Sequence, residues 1–314
     1  PAEIVAVWIE KPLPGQRELV VHAVFNAVPV TGALRFTFRP GTATVVDTEC
    51  TLFARVDVTD FGVGTMAATH LSGTLDTRFA DDVRPAVHDT NGLQIRTGSN
   101  EWIFRPVSNG QRLQISGFVD KNPRGFGFVQ RDRRFESYLD GAMQWQRRPS
   151  LWIEPLGKWG DGQVTLLEIP STSENNKNII CYWQPGEGLK AGSQKRYVFR
   201  QFWGWTPPDK PELAMVTLTR QGRPPSRKKN QRRFLVHFTG DGLFPKGARP
   251  VFTARASAGK GKIINVQILP VRTDGLVQVT VDLESGNAPY VELRMHLEVE
   301  HKRVSEAWLY RWSL

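Results

Sequence analysis

Short runs rich in β-branched and aromatic residues, separated by turn residues, are the feature of this sequence that most constrains its fold. They include residues 18–25, 52–58, 113–119 and 164–169. The chain has 28 glycines and 21 prolines in 314 residues, and these interrupt the runs. Helical periodicity is scarce, and its best candidate is a turn or two near residues 135–142. The sequence therefore predicts an all-β protein built of packed sheets.

A proline-rich segment divides the sequence near residue 206. Residues 206–211 read Thr-Pro-Pro-Asp-Lys-Pro, a stiff stretch that cannot continue a sheet. Strand-like runs then follow at 233–239, 251–256, 263–269, 275–283, 290–299 and 307–312. Short strands at this spacing predict an immunoglobulin-like sandwich. We therefore predict a large β-sandwich domain over residues 1–206 and an immunoglobulin-like domain over residues 207–314.

The formal net charge of +10 suggests a nucleic-acid partner until the charge is located along the chain. Residues 220–233 contain seven basic residues and no acidic residue, together with Pro224 and Pro225. Such a run can bind phosphates, but a solvated loop between two strands is the simpler interpretation. Because no nucleic-acid-binding motif accompanies the run, we expect no nucleic acid as partner.

Cysteine content and hydropathy exclude further classes. Cys50 and Cys181 lie in separate strand-like runs without metal-ligand spacing, which excludes a structural zinc site. A disulfide is permitted, but buried and reduced thiols are the favoured interpretation. No apolar run approaches the roughly 20 residues that cross a bilayer, so we expect no membrane span. The chain opens with Pro1 rather than methionine, and we expect a processed or truncated product.

Tryptophans and carboxylates are concentrated between His88 and Trp205. Seven of the ten tryptophans fall there, interleaved with carboxylates that include Asp89 and Glu174. This combination suits a sugar chain, because indoles give rigid flat surfaces and carboxylates accept hydroxyl hydrogen bonds or act as acid and base. The alternative is that these tryptophans form core, since aromatic residues fit half-buried sheets.

A series of short motifs runs through the chain in a fixed order. They are His-Asp-Thr-Asn-Gly-Leu at 88–93, Glu-Trp-Ile-Phe-Arg-Pro at 101–106, Asn-Pro-Arg-Gly-Phe-Gly at 122–127, Gln-Arg-Asp at 130–132, Arg-Pro-Ser-Leu-Trp at 148–152, Trp-Gly at 159–160, Leu-Glu-Ile-Pro at 167–170 and Tyr-Trp at 182–183. In order and spacing, the chain resembles the periplasmic glucan biosynthesis proteins of the G/D family over nearly its whole length.

The resemblance implies a fold, a location and a missing part. The family's fold is a large, mutarotase-like β-sandwich followed by an immunoglobulin-like domain, and its members are exported to the periplasm. They also carry a further segment before the position of Trp8. We therefore expect an N-terminally truncated first sandwich, whose strand edges a missing segment or a second chain would cover.

The resemblance also implies that the chain binds β-1,2-linked glucan and cleaves or transfers it by an inverting mechanism with two acids. In such a mechanism one acid protonates the leaving oxygen and the other group activates water. The resemblance makes Asp89 the base, while the alternative is that Asp89 and Asn91 only cap a turn. Lys177 occupies the position of the family's acid and is a poor proton donor. Glu174 is the one carboxylate left in this loop, residues 171–178.

Three hypotheses about function follow from these residues. In the first, Glu174 supplies the proton and the chain remains a glycoside hydrolase or transglycosylase. In the second, the acid is lost and the cleft binds glucan without cleaving it. In the third, the chain is a scaffold for an inner-membrane glucan synthase complex, and the sugar groove is secondary.

Substrate contacts are expected from aromatic and cationic side chains of the same region. Stacking is predicted for Trp102, Tyr138, Trp145, Trp152 and Trp183, and hydrogen-bond donation for Arg105, Arg131, Arg148 and Lys177. Arg105 and Arg148 each precede a proline, so turn geometry is an alternative for both. The sequence has no nucleotide, flavin or metal motif, so we expect no cofactor and no metal ion.

Overall fold

Strands dominate the computed structural model of this protein, which describes residues 2–76, 81–245, 250–271 and 275–313. Within these ranges the chain forms 23 β-strands and three short 3₁₀ helices, at Phe135–Ser137, Trp145–Arg147 and Asp241–Leu243. The prediction of an all-β protein is confirmed. No helix in the described part of the chain is long and apolar enough to cross a membrane.

Each run that the sequence predicts as a strand overlaps a strand of the structure. Before residue 206 they are β1 (Glu3–Ile9), β2 (Leu19–Asn26), β3 (Val30–Arg39), β4 (Thr44–Ala54), β5 (Val63–Ala68), β6 (His70–Ser72), β7 (Val87–His88), β8 (Gly92–Arg96), β9 (Trp102–Pro106), β10 (Gln114–Lys121), β11 (Gly125–Val129), β12 (Ser150–Pro155), β13 (Asp161–Glu168), β14 (Ile179–Pro185) and β15 (Gln194–Gly204). After it they are β16 (Met215–Gly222), β17 (Gln231–Thr239), β18 (Phe252–Ala258), β19 (Lys262–Val271), β20 (Leu276–Glu284), β21 (Tyr290–Val299), β22 (Lys302–Arg303) and β23 (Ala307–Ser313).

Two predicted elements have other bounds in the structure. The run at 52–58 is strand only to Ala54, where β4 ends. The helical candidate at 135–142 is a single 3₁₀ turn, Phe135–Ser137. Leu139 follows with a left-handed φ of 52°, a backbone conformation that a right-handed helix cannot contain.

One large sheet joins most of the strands, in the order β1-β2-β3-β4-β15-β12-β11-β8-β9-β23-β21-β18, with β22 paired to β21. A second sheet has the order β10-β13-β14-β5. Side chains alternate along β4, so that Cys50 and Leu52 are buried. They belong to one buried apolar cluster with Val164 and Leu166 of β13, and this cluster is the first core.

The strands after residue 206 form a second two-layer unit. A sheet of order β16-β17-β20-β19 packs against β18-β21-β23, which form one end of the large sheet. Labelled A to G in chain order without the short β22, these are the A-B-E-D and C-F-G sheets of an immunoglobulin constant-type sandwich. Phe234, Val279, Leu293 and Trp308 are buried in its core. The prediction of an immunoglobulin-like sandwich is confirmed.

The last strand connects the two cores. β23 pairs with β21 on one side and, in parallel, with β9 on the other, through Ala307↔Ile103 and Trp308↔Phe104. Ala307 belongs to the first core, whereas its neighbour Trp308 belongs to the second. The large sheet therefore crosses from one unit to the other, and the domain boundary between residues 206 and 207 stays a prediction.

Close packing limits side-chain size on the central strands of the large sheet. A Cβ atom added to Gly127 of β11 would overlap the carbonyl oxygen of Leu151 and lie 2.7 Å from Cα of Trp152. Both cysteines are buried and free, so the interpretation of reduced thiols is confirmed. Burial raises the pKa of the Cys50 thiol to about 11.

The first strand forms an exposed edge of the large sheet. Ile4, Val7, Trp8 and Ile9 are 54–66% exposed. An apolar edge strand of this kind is prone to pair with other chains. The expectation that a further segment or a second chain covers this edge stays a prediction.

Candidate functional site

Asp89 follows the short strand β7 and is held by the backbone of Thr69. The amide of Thr69 donates to Oδ1 of Asp89 at 2.8 Å, and the amide of Asp89 donates to the carbonyl of Thr69 at 3.0 Å. Nζ of Lys177 donates to the second carboxylate oxygen, Oδ2, at 2.6 Å. The Asp89 side chain is 15% exposed and that of Lys177 is 55% exposed. The amide of Thr69 therefore fixes one oxygen of the Asp89 carboxylate, and the other oxygen faces the solvent-accessible ammonium group of Lys177.

The loop that carries Lys177 is fixed to the same segment. The amide of His70 donates to Oδ1 of Asn178 at 2.8 Å, and Nδ2 of Asn178 donates to the carbonyl of His70 at 3.0 Å. The hydroxyl of Thr69 donates to the carbonyl of Asn176 at 3.0 Å. Residues 69–70 thus bridge two loops that are 88 positions apart in sequence, and this bridge brings Lys177 to Asp89.

The residues after Asp89 close a turn and position the next motif. The hydroxyl of Thr90 accepts a hydrogen bond from the amide of Gly92 at 3.2 Å. Oδ1 of Asn91 accepts from the amides of Arg131 and Asp132, at 2.6 and 2.9 Å. Thr90 therefore caps the turn, whereas Asp89 leaves its Oδ2 available to a partner from another loop.

Glu174 is also paired with a cation, and that cation is Arg84. The Arg84 guanidinium donates to Glu174 at 2.7 Å and to Asp140 at 2.9 Å, and it is also paired with Asp82. The hydrogen bonds that Arg84 donates to Asp82 and, second in size, to Glu174 raise the pKa of Arg84. The pKa of the Asp140 carboxyl is lowered, chiefly by the amide of Met143. Three carboxylates thus converge on one guanidinium beside the loop that carries Lys177.

Two of the predicted aromatic contacts lie beneath this cluster. Trp145 is buried, and its indole N–H donates to Asp140 at 3.1 Å. Tyr138 is fully buried, its hydroxyl donates to the carbonyl of Asp132 at 3.0 Å, and burial raises its pKa. Arg148 is exposed, with its guanidinium over the Trp145 ring at 5.4 Å. Tyr138 and Trp145 therefore support the site from inside, and Arg148 is its exposed member.

The other predicted contacts point into the protein interior. Trp102 stacks on Trp152 at 5.8 Å, and Trp183 is fully buried in the first core. Arg105 forms a buried ion pair with Glu168 at 2.8 Å. The Arg131 guanidinium is paired with Glu306, and both side chains are nearly or fully buried. The five predicted residues Trp102, Arg105, Arg131, Trp152 and Trp183 are thus occupied by packing or by ion pairs, and a buried indole presents no face to a sugar.

A pair of stacked histidines lines a cavity near the site. Its volume is about 420 Å³, and its lining includes His70, His88, Asp132, Tyr138 and Thr219. The rings of His70 and His88 are 4.9 Å apart and nearly parallel. Nε2 of His70 is 2.9 Å from Asp76, and its Nδ1 is 3.2 Å from the carbonyl of Thr90.

The two histidines have opposite pKa shifts. Burial lowers the pKa of His70, but the hydrogen bond and charge of Asp76 outweigh it, so the net shift is upward. Burial and the charge of His70 hold the pKa of His88 well below its usual value. We therefore assign the proton to His70, whose two ring nitrogens both face acceptors, and treat His88 as neutral.

Sequence reasoning missed Arg84, His70 and Asp76. Arg84 lies in a short polar segment, and nothing in its spacing links it to Glu174, which is 90 positions away. His70 and Asp76 are six positions apart and could have been considered as a pair, but single histidines are common in cores. In the described part of the chain, no cluster of three or more histidine, cysteine, aspartate or glutamate side chains is placed to hold a metal ion.

Comparison with known proteins gives a consistent result. The family model described as "Periplasmic glucan biosynthesis protein, MdoG" matches residues 2–312. The chain is 39% identical over 310 residues to the "Glucans biosynthesis protein G" of Shewanella sp. (strain W3-18-1), covering 98% of this chain and 56% of that protein. It is 42% identical over 307 residues to the protein of the same name from Rhodopseudomonas palustris, covering 98% of this chain and 60% of that protein. The chain thus spans little more than half the length of these relatives.

Proposed function

This chain belongs to the family of periplasmic glucan biosynthesis proteins, and from that premise we propose that it binds a β-linked glucan around Asp89 and Lys177 without cleaving it. The proposal includes β-1,2 linkages and a periplasmic location. The whole protein's partners are part of the same proposal, because the chain covers 56–60% of its relatives.

The proposal rests on the contact of 2.6 Å between Nζ of Lys177 and Oδ2 of Asp89. An inverting glycosidase needs a protonated acid on one side of the scissile bond and a base that activates water on the other side. Here a lysine occupies the expected acid position, and it covers the oxygen that a water molecule would approach. The contact therefore suits recognition of sugar hydroxyls better than cleavage.

The second carboxylate leads to the same conclusion. While Glu174 accepts a hydrogen bond from Arg84 at 2.7 Å, it is a paired acceptor and does not present a proton to a glycosidic oxygen. Carboxylates, guanidinium and ammonium groups together supply both acceptors and donors. Sugar hydroxyls can use both at once, so the same set of side chains suits binding.

We assign the proposed contacts according to exposure. Lys177 and Arg148 are exposed and would donate to sugar hydroxyls. Asp89 and Glu174 are partly exposed and would accept from them. Trp145 and Tyr138 would hold Asp140 and the segment near Asp132 in place, and their faces are not needed for stacking.

Hydrolysis is the second candidate function, and one observation favours it. Oδ1 of Asp89 is oriented by the amide of Thr69 at 2.8 Å, an arrangement that would also orient a catalytic base. In this alternative Glu174 leaves Arg84 when glucan binds and becomes the acid.

Calorimetry with linear β-1,2-glucan, together with an assay for new reducing ends, separates the two functions. We expect binding by the wild-type chain, binding about ten-fold or more weaker in Asp89→Asn, and no new reducing ends. The matched control is Asp57→Asn, because Asp57 forms an exposed pair with Lys190 at 3.0 Å. Reducing ends that disappear in both Asp89→Asn and Glu174→Gln would establish hydrolysis. Absence of binding would rule out both functions and favour the scaffold hypothesis, which recovery of an inner-membrane partner would then support.

A further inference from the structure

One end of the sheet β16-β17-β20-β19 carries a dense group of exposed cations. Four of them, Arg223, Arg227, Lys228 and Lys229, lie in the loop between β16 and β17. Lys260 and Lys262 are also exposed and reach the same end. The strand register places them there, because Gln231 and Lys262 both pair with Glu284 on β20. We call these six side chains the cationic end.

The loop has a defined conformation. Pro224 is buried, and the amide of Arg227 donates to its carbonyl at 2.9 Å. The hydroxyl of Ser226 donates to Oε1 of Gln231 at 2.6 Å, and the amide of Ser285 donates to the carbonyl of Asn230 at 2.9 Å. These bonds tie the loop to β17 and to the turn after β20, so its cations are presented from a fixed framework.

The positive charge of the cationic end is not compensated locally. The adjacent carboxylate, Glu284, accepts from the side-chain amides of Asn230 and Gln231 at 3.2 and 3.4 Å. Arg233, at the base of the loop, is neutralised by Asp282. Within the described residues, none of the six cations forms an ion pair with a carboxylate. Like charges held together in this way repel each other, and a polyanionic surface would relieve that repulsion.

We propose that the cationic end docks the protein on the anionic phospholipid surface of a bilayer. Clusters of four to eight lysines and arginines bind such surfaces through the summed attraction of their charges. Five of the cations lie in loops at the end of a sheet and the sixth, Lys262, begins β19 at the same end, an arrangement that suits contact with a flat surface. The loop between β16 and β17 contains no aromatic side chain that could stack on bases, which argues against single-stranded nucleic acid. The inference goes beyond glucan binding and does not depend on it.

The attachment is electrostatic and peripheral. Pro224 and Pro225 are the apolar residues of the loop, and Pro224 is buried, so the loop has little to insert between lipid tails. Binding should therefore weaken steeply as salt screens the charges, over a range of about 50 to 300 mM. Each cation near an anionic surface contributes about five-fold to the partition coefficient.

Co-sedimentation of the full chain with vesicles tests this proposal. One set of vesicles contains about 30% phosphatidylglycerol in phosphatidylcholine, and the other contains phosphatidylcholine alone. The loop variant carries Arg223→Gln, Arg227→Gln, Lys228→Gln and Lys229→Gln. The control variant removes four exposed cations elsewhere, by Lys11→Gln, Arg17→Gln, Lys158→Gln and Lys195→Gln. A further variant, Lys260→Gln with Lys262→Gln, probes the cationic end outside the loop.

We expect binding to the phosphatidylglycerol vesicles alone, with a loss of about a hundred-fold or more in the loop variant. Vesicle binding by the control variant should stay within about three-fold of wild type, since the four cations that it removes do not belong to the cationic end. Near-ultraviolet circular dichroism checks that the variants are folded. If the loop variant is unfolded, the variant with Lys260→Gln and Lys262→Gln provides the test. Equal binding to both kinds of vesicle, equal losses in loop and control variants, or binding to duplex DNA without binding to vesicles would each overturn the proposal.

Discussion

His70 and His88 lie face to face, with ring centroids 4.9 Å apart and ring planes within 6° of parallel. Asp76 compensates a positive charge on His70, whereas the amide side chain of Gln130 is the partner of His88 at 3.1 Å. Two stacked imidazoles cannot both be charged cheaply in a buried site. We therefore expect at most one of the two rings to be charged, and the contact with Asp76 makes His70 that ring.

The free energy of unfolding should consequently pass through a maximum near pH 6.5, the usual pKa of a histidine side chain. Below it, unfolded His88 gains a proton that the folded protein excludes, so the free energy of unfolding falls as pH decreases. Above it, unfolded His70 loses a proton that the folded protein keeps, so the free energy falls as pH increases. Each slope is at most about 1.4 kcal/mol per pH unit. Urea titrations from pH 5 to 8 measure the free energy of unfolding in both variants. Its slope below pH 6.5 should disappear in His88→Gln, and its slope above pH 6.5 should shrink in His70→Gln. Unchanged slopes in both variants would refute the assignment of the charge to His70.

Arg84 should be important for stability as well as for the site. Arg84→Met leaves Asp82, Asp140 and Glu174 facing one another without a cation, and we expect a loss of about 2 kcal/mol at pH 7. The pKa of the Asp82 and Asp140 carboxyls is lowered in the folded protein, so the stabilisation is present above their usual value and lost as pH falls through the folded values.

The loss in Arg84→Met should therefore be smaller near pH 3 than at pH 7. The control is Arg196→Met, because Arg196 is 60% exposed and its pair with Glu49 should contribute less than about 1 kcal/mol. Chemical denaturation of both variants at the two pH values provides the measurement. Losses of equal size for the two arginines would contradict the role given to Arg84.

Arg105 and Arg148 should respond in opposite ways to the same change. Arg105→Met leaves Glu168 buried without its cation, and we expect a loss of about 3–5 kcal/mol in stability with glucan affinity retained by the folded protein. Arg148→Met removes an exposed side chain, so stability should stay within about 0.5 kcal/mol while glucan binding weakens. Thermal unfolding and calorimetry on the two variants test this contrast, which fails if Arg105→Met lowers affinity more than Arg148→Met does.

If the chain binds glucan without cleaving it, as we propose, Lys177→Asp should introduce cleavage. It puts a carboxylic acid at the position where the family resemblance implies one, beside Asp89. Lys177 is 55% exposed, so the substitution should be tolerated structurally. We expect new reducing ends from β-1,2-glucan in Lys177→Asp, and none in Lys177→Asp with Asp89→Asn. Lys190→Asp, which alters the pair with Asp57, is the matched control, and cleavage by that control would show that the assay is not reporting on this site.

Gly127 should tolerate no side chain. In Gly127→Ala the new methyl group meets backbone atoms of Leu151 and Trp152, which cannot move without breaking the pairing of β11 with β12. We expect a loss of about 3 kcal/mol. Gly141→Ala has open space around the added carbon and should be nearly neutral. Unfolding midpoints of the two variants compare them, and a neutral Gly127→Ala would mean that the strands are less tightly packed than described.

The fold was predictable because its determinants are local. Alternating apolar residues and turn residues mark strands such as β17 and β21 within one residue or two of their ends. The order of the C-terminal strands follows from their number and spacing. The parallel pairing of β23 with β9 was not predictable, since it joins residues about 200 positions apart with only two registered pairs.

The residues of the candidate site could be proposed from the sequence only where they belong to a recognisable motif. Asp89 and Lys177 follow from the order of the motifs, but the contact between them depends on Thr69 and Asn178, which no pattern singled out. The sequence does not show whether Trp152 and Trp183 pack in the core or stack on a sugar, because the residue type is the same in both roles. Burial decides between them, because Trp183 lies in the first core and Trp152 packs on Trp102, and burial is a property of the assembled fold.

The position of β23 has a consequence for when this protein can fold. A chain leaves the ribosome from its N-terminus, so β9 and β21 are complete before the strand that lies between them. The large sheet is incomplete until residues 307–313 have been made. The first core lacks Ala307 and the second core lacks Trp308 until then. Until that strand is present, one edge of β9 and one edge of β21 stay unpaired, and unpaired strand edges are where wrong pairing with another chain begins.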